Sequence, residues 1–179
     1  MLVLIWGAVL LHAWLRDGST GPVRPPLPAV GVLAVTLGLG TWLERQTGWR
    51  AFDAPAAGAV GMVLVWLGAV LHVQARRVLG ERWRPAVAPA APRRLLRTGP
   101  YAVVRHPLYA ALALMAVGTV LAHPSLAVLA GAGGLAAGLA VKIRLEERAL
   151  RRTFGARWDV YARRVPALLP RPFRRGRRR

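Results

Sequence analysis

From Pro107 to Val141 the chain runs through an apolar stretch that carries no formally charged residue. As one helix this stretch would be roughly 50 Å long at 1.5 Å per residue, well beyond the ~30 Å hydrocarbon core of a bilayer even with tilt. Two short helices turning at His123-Pro124 fit instead. Pro124 supports the turn, because proline has no N–H to donate and biases the residue before it out of helical geometry. A chain that must fold back on itself inside lipid is therefore all-helical at this point and returns to the side from which it entered.

Two other charge-free blocks, Pro25 to Leu43 and Ala54 to Ala75, are also of membrane length. The run from Met1 to Leu15 is shorter, roughly 22 Å as a helix. No basic residue precedes it and Ala13-Trp14-Leu15-Arg16 offers no small-x-small cleavage site, so it reads as a span rather than a signal peptide. The expected fold is an all-α integral membrane protein with about five transmembrane helices, the last two a helical hairpin. Residues 1–75 would form an N-terminal three-span region. Residues 76–179 would form a C-terminal catalytic region of cytoplasmic loop, hairpin and basic tail, enclosing a cytoplasmic cofactor pocket.

Charge tests that count independently. Arg16 and Arg24 follow the first span; Arg76, Arg77, Arg82, Arg84, Arg93, Arg94, Arg97 and Arg105 follow the third; the tail is Arg-rich. Basic loops stay in the cytoplasm. Between spans two and three Glu44, Arg45, Arg50 and Asp53 cancel, and the hairpin turn has no formal charge. Five spans with the N-terminus outside and the C-terminus in the cytoplasm satisfy every loop, as expected for a multi-pass protein of a bacterial plasma membrane. The net charge of +19 does not require nucleic acid as a partner. An anionic inner leaflet attracts each juxtamembrane arginine by about 1 kcal/mol and accounts for the basic tail.

Several chemistries are absent. Without cysteine there is no disulfide, thiolate ligand or Cys nucleophile. His12, His72, His106 and His123 show no metal-ligand spacing, so no metal is expected. Gly38-Leu39-Gly40 lies inside an apolar span with no strand before it, and helix packing explains it better than a dinucleotide loop. Gly134 and Gly138 form a small-xxx-small pair for which close helix approach is the default.

Two polar strips flank the hairpin. The first, Arg93 to Tyr109, holds the turn signal Gly99-Pro100, and Pro107 suits a first helical turn, where a missing N–H does no harm. Arg105 and His106 then sit at a helix N-terminus, where unpaired N–H groups and the helix dipole favour an anion such as a carboxylate. Taken alone, the strip reads equally as an interfacial anchor with a snorkelling Arg105 and a belt of Tyr101 and Tyr109. The second strip runs from Lys142 through Glu146 and Glu147 to Phe154-Gly155, Trp158, Tyr161 and Val165-Pro166. Lys142 with Glu146, and Glu147 with Arg151, make i,i+4 pairs worth about 0.2–0.5 kcal/mol each. Adjacent glutamates point roughly 100° apart, so one can face solvent while the other faces the bundle interior. An interior carboxylate at this depth is costly without a cationic partner.

Gly99-Pro100-Tyr101, then Arg105-His106-Pro107-x-Tyr109, a hairpin of about 35 residues, Ile143-x-x-Glu146-Glu147-x-x-Leu150, Phe154-Gly155, Tyr161 and Val165-Pro166 follow one another in an order that resembles the isoprenylcysteine carboxyl methyltransferase family of membrane methyltransferases. The resemblance covers roughly Arg93 to Pro170; the first three spans match only in being hydrophobic. It implies S-adenosylmethionine as cofactor and a lipophilic, membrane-embedded acceptor. Arg93, Arg94, Leu95, Leu96, Tyr101, His106 and Tyr109 would line the cofactor pocket, and Glu146 would hold the cofactor's amino group. Arg105 is a candidate for its carboxylate. The position linked to the acceptor carboxylate is Lys142, where arginine is usual in the family; an ammonium cannot bind a carboxylate bidentately, so the acceptor can differ.

A carboxylate acceptor needs orientation and desolvation more than acid–base help. An amine or phenol acceptor would need a base, for which Glu147 or His106 would serve. The alternatives are N-methylation of a phospholipid headgroup amine, a membrane reductase using a nicotinamide cofactor, and a non-enzymatic membrane module. Neither the acceptor's identity nor the oligomeric state follows from the sequence.

Overall fold

The computed structural model describes residues 42, 45–48, 55–79 and 95–170. The first two expected spans, Arg93, Arg94 and the basic tail beyond Pro170 lie outside the described residues, apart from a few positions at the end of the second span and just after it. Among the described residues five helices follow in order: α1 (Pro55–Leu79), α2 (Pro100–Val103), α3 (Pro107–Ala122), α4 (Leu126–Phe154) and α5 (Ala156–Arg164). α1 and α4 are long and apolar enough to cross a membrane, while α3 is a shorter apolar helix of 16 residues.

The apolar block from Pro107 to Val141 does break at His123-Pro124 into α3 and the first part of α4. Ser125 caps α4, its hydroxyl accepting from the Val128 N–H at 3.3 Å, which supplies one of the acceptors that a helix start lacks. At the other end α3 begins with Pro107, whose missing N–H costs nothing in a first turn. Gly99 (φ +58°) admits the chain to α2, and Gly155 (φ +52°) turns it from α4 into α5; both sit in backbone geometry that a side chain would strain.

α3 packs mainly on α1 rather than on its hairpin partner. Val65, Ala69 and Met115 form the buried centre of that contact, and glycines set its closeness. A Cβ on Gly118 would lie 2.5 Å from the Gly61 carbonyl oxygen, and one on Gly68 would lie 2.8 Å from that of Ala111. Small residues let membrane helices approach in this way, since lipid itself gives no hydrophobic push between them. The pair expected to do this, Gly134 and Gly138, has no described neighbour within 4 Å of its Cβ positions. The small-xxx-small pattern marks a helix able to pack closely, and here the close approach is made at Gly61, Gly68 and Gly118.

Candidate active site

The two polar strips meet at the open end of the hairpin. Arg105 and His106 form the entrance to α3, while Glu146 and Glu147 lie on α4 just beyond its apolar part. His106 stands between the carboxylates: its Nε2 is 3.3 Å from Oε1 of Glu147 and its Nδ1 is 3.8 Å from Oε2 of Glu146. Tyr109, one turn into α3, donates its hydroxyl to Oε1 of Glu146 and stacks on His106 with ring centroids 5.7 Å apart. Lys142 Nζ is 3.8 Å from the same Glu146 oxygen.

Both glutamates therefore turn toward the start of α3. Their side chains are 38% and 31% exposed, and the reason is the loop before α3. It wraps across the face of α4, so that residues about 100° apart on that helix both reach it.

Arg105, expected to face a ligand carboxylate, is spent on the protein instead. It donates from Nε (3.0 Å) and Nη2 (2.6 Å) to Oε1 of Glu147, and from Nη1 to the carbonyls of Ala162 (2.6 Å) and Val165 (2.8 Å). Four of its five N–H groups are thereby used. These carbonyls lie near the C-terminal end of α5 and just after it, where helix carbonyls lack internal partners and a cation is favoured. The strap after α5 completes the joint, Pro166 and Ala167 accepting the backbone N–H groups of Arg105 (2.8 Å) and His106 (3.0 Å).

Around this joint α5 presents Trp158 and Tyr161, both buried and packed edge to face. The Arg105 guanidinium lies 5.9 Å from the Trp158 ring centre. Tyr161 donates to the Tyr101 carbonyl at 2.6 Å, and Arg97 stands over the Tyr161 ring while donating to the Arg157 carbonyl. α2 and α5 are thus tied across the mouth. Sequence reasoning placed Tyr161 in a motif but had no signal for the carbonyls at 162, 165, 166 and 167, since backbone acceptors leave no trace in residue identity.

Electrostatics follow from this burial. Desolvation lowers the pKa of His106 below its usual value, opposed by its hydrogen bond to Glu147 and the charges of both glutamates, and assisted by Arg105. His106 is therefore neutral near pH 7. Burial likewise pushes the Tyr101 phenol up, with Arg76 pulling it back and Tyr161 and Glu146 adding to the rise. Burial raises Tyr161 to about 12, against the lowering charges of Arg105 and Arg97. Of the remaining residues singled out from the sequence, Leu95 and Leu96 lie half-buried in the loop before α2.

The described residues are thus helical and carry a buried histidine between two carboxylates at the mouth of a hairpin. The chain belongs to the phospholipid methyltransferase family, whose pattern it matches over residues 56–157, more than half its length. Among solved structures it is similar to the eukaryotic intramembrane Ras methyltransferase, isoprenylcysteine carboxyl methyltransferase, with a TM-score of 0.69 and 22% identity over 94% of this chain. The match spans 62% of that longer protein. No curated protein matches the chain. At that identity the structural likeness shows a shared fold.

Proposed function

We propose that the chain transfers a methyl group from S-adenosylmethionine to the carboxylate of a lipophilic acceptor held in the membrane, using its C-terminal region, residues 76–179. The observation that carries this reading is Glu146. It is a half-exposed carboxylate at the hairpin mouth, fixed by Tyr109 and flanked by His106 and Lys142. A ligand with an ammonium and a sulfonium needs such an anion, and an adenine ring needs apolar and aromatic surface of the kind that Leu95, Leu96, Tyr101, His106 and Tyr109 offer. The residues present fit the cofactor. When bound, it supplies an electrophilic methyl group.

The protein's own part is positional. Glu146 holds the ammonium, with Tyr109 fixing the carboxylate's rotamer. Lys142, 56% exposed and 3.8 Å from Glu146, meets the acceptor's carboxylate. A carboxylate acceptor suits this site because it has no proton to lose, and the candidate base Glu147 is engaged by Arg105. Exclusion of water by α5 and its strap strengthens the reaction by desolvating the nucleophile. The N-terminus would lie outside and the C-terminus in the cytoplasm against an anionic inner leaflet. Neither family nor fold favours a nicotinamide-dependent reductase.

The test is transfer of labelled methyl from S-adenosylmethionine into a membrane lipid extract by the purified protein. A base-labile labelled ester is the expected product. A base-stable labelled amine would move the acceptor to a headgroup nitrogen, and no transfer to any lipid would overturn the reading.

A further inference from the structure

The donor's amino-acid end is a zwitterion, so a carboxylate for its ammonium implies a cation close by for its carboxylate. Arg105 is occupied by Glu147 and two α5 carbonyls. α1 carries another guanidinium, that of Arg76, to the same end of the bundle. The glycine contacts fix the register of α1 against α3: Gly61 meets Gly118, and Gly68 meets Ala111. Seven residues along one helix match seven along the other in reverse. A further eight residues, about 12 Å of helix, set Arg76 level with the loop that enters α3. Val78 packing on Gly99, where an added Cβ would lie 3.0 Å from Val78 Cγ2, supports the same register at the end of α1.

Arg76 also continues the inward face of α1. Val65, Gly68, Ala69, His72 and Ala75 are buried at helical spacing, and Arg76 is half-buried one turn beyond His72. Its charge reaches both Tyr101 and Tyr109, and that of Glu146 reaches the same two phenols. An arginine half-buried where a membrane helix ends, in place of full exposure to water, is a placement that function tends to retain. The competing account is that Arg76 merely offsets the negative end of α1, as a basic residue in a last turn does.

We infer that Arg76 is the cationic half of the methyl-donor site, its guanidinium binding the donor's α-carboxylate while Glu146 binds the ammonium. The inference rests on the proposed cofactor. It adds a residue from α1 to a site otherwise built from α2 to α4, so the site is closed only when α1 is packed on α3.

The experiment is calorimetric binding to the full chain in detergent, with two ligands. S-adenosylhomocysteine carries the amino-acid end; methylthioadenosine carries the same nucleoside thioether without it. Arg76→Gln is expected to weaken S-adenosylhomocysteine at least about tenfold, the usual loss for a charge-assisted contact, and to leave methylthioadenosine within about twofold. Arg76→Lys should recover part of the loss, since an ammonium keeps the charge without the fork. Equal weakening of both ligands, or no weakening of either, overturns the inference and leaves the cofactor reading standing. Failure of the unsubstituted protein to bind S-adenosylhomocysteine would instead overturn the cofactor reading and this inference with it.

Discussion

Arg105→Lys tests the joint that holds the mouth together. The guanidinium reaches Glu147 and two carbonyls of the α5 end at once, at distances of 2.6–3.0 Å. A single ammonium cannot span these directions, so about two acceptors lose their donor. Hydrogen bonds from a charged group are worth about 1.5–3 kcal/mol each, and lysine restores part of one, so the expected cost is about 2–4 kcal/mol. At about 2–4 °C per kcal/mol for a chain of this size, Tm should fall by roughly 4–16 °C. The assay is thermal unfolding in detergent by circular dichroism at one fixed scan rate, because such transitions are seldom reversible. A double-mutant cycle with Glu147→Gln sharpens it: the pair of substitutions should cost less than the sum of the two single ones, by about 1–2 kcal/mol. A Tm shift under 2 °C, or strict additivity, would refute the claim that Arg105 is a structural clasp.

Three further expectations follow from the same contacts. Lys142→Ala removes an exposed pair worth at most about 1 kcal/mol, so Tm should stay within about 2 °C while KM for an acidic acceptor rises; an unchanged KM would remove Lys142 from the acceptor site. Gly118→Ala sets a Cβ against backbone atoms of Gly61 and Val65, which forces α1 and α3 apart at a cost of about 1–3 kcal/mol, visible as a lower Tm. His106 titrates below its usual pKa in the folded protein, so its neutral form contributes stability that is complete above pH 6.5 and declines as pH falls below that value. The unsubstituted protein should lose more Tm between pH 7 and pH 5.5 than His106→Gln does, and equal losses would refute the burial argument.

Much of this was legible because lipid imposes strict lengths. The break at His123-Pro124, the start of α3 at Pro107 and the start of α1 at Pro55 follow from helix rise, proline chemistry and charge-free length, while α1 runs on past the charge-free block to Leu79. The direction of side chains was less legible. Arg105 was matched to a ligand because a helix N-terminus and a guanidinium both suit an anion; its real partners include two α5 carbonyls nearly 60 residues away, and no residue type advertises a backbone acceptor. Helix geometry alone allows Glu146 and Glu147 to part between solvent and interior, because it takes no account of a His106 that both of them reach. Arg76 was read as one more cytoplasmic arginine, since the glycine contacts that fix its level beside α3 need two helices in place.

Where the charges begin on α4 is set by the length of α3. α3 uses 16 residues, Pro107–Ala122, to cross from the mouth to the turn. α4 starts at Leu126, and a return of equal length brings it back to Val141, the last residue before Lys142. Glu146 and Glu147 lie a turn further, level with the Arg105-His106 loop, and the 3.3 Å approach of His106 to Glu147 follows from that arithmetic. The cluster therefore depends on the two helices being matched in length. Moving the carboxylates one turn earlier would bury them in lipid, where an unpaired charge is costly, and one turn later would carry them past the Arg105-His106 loop.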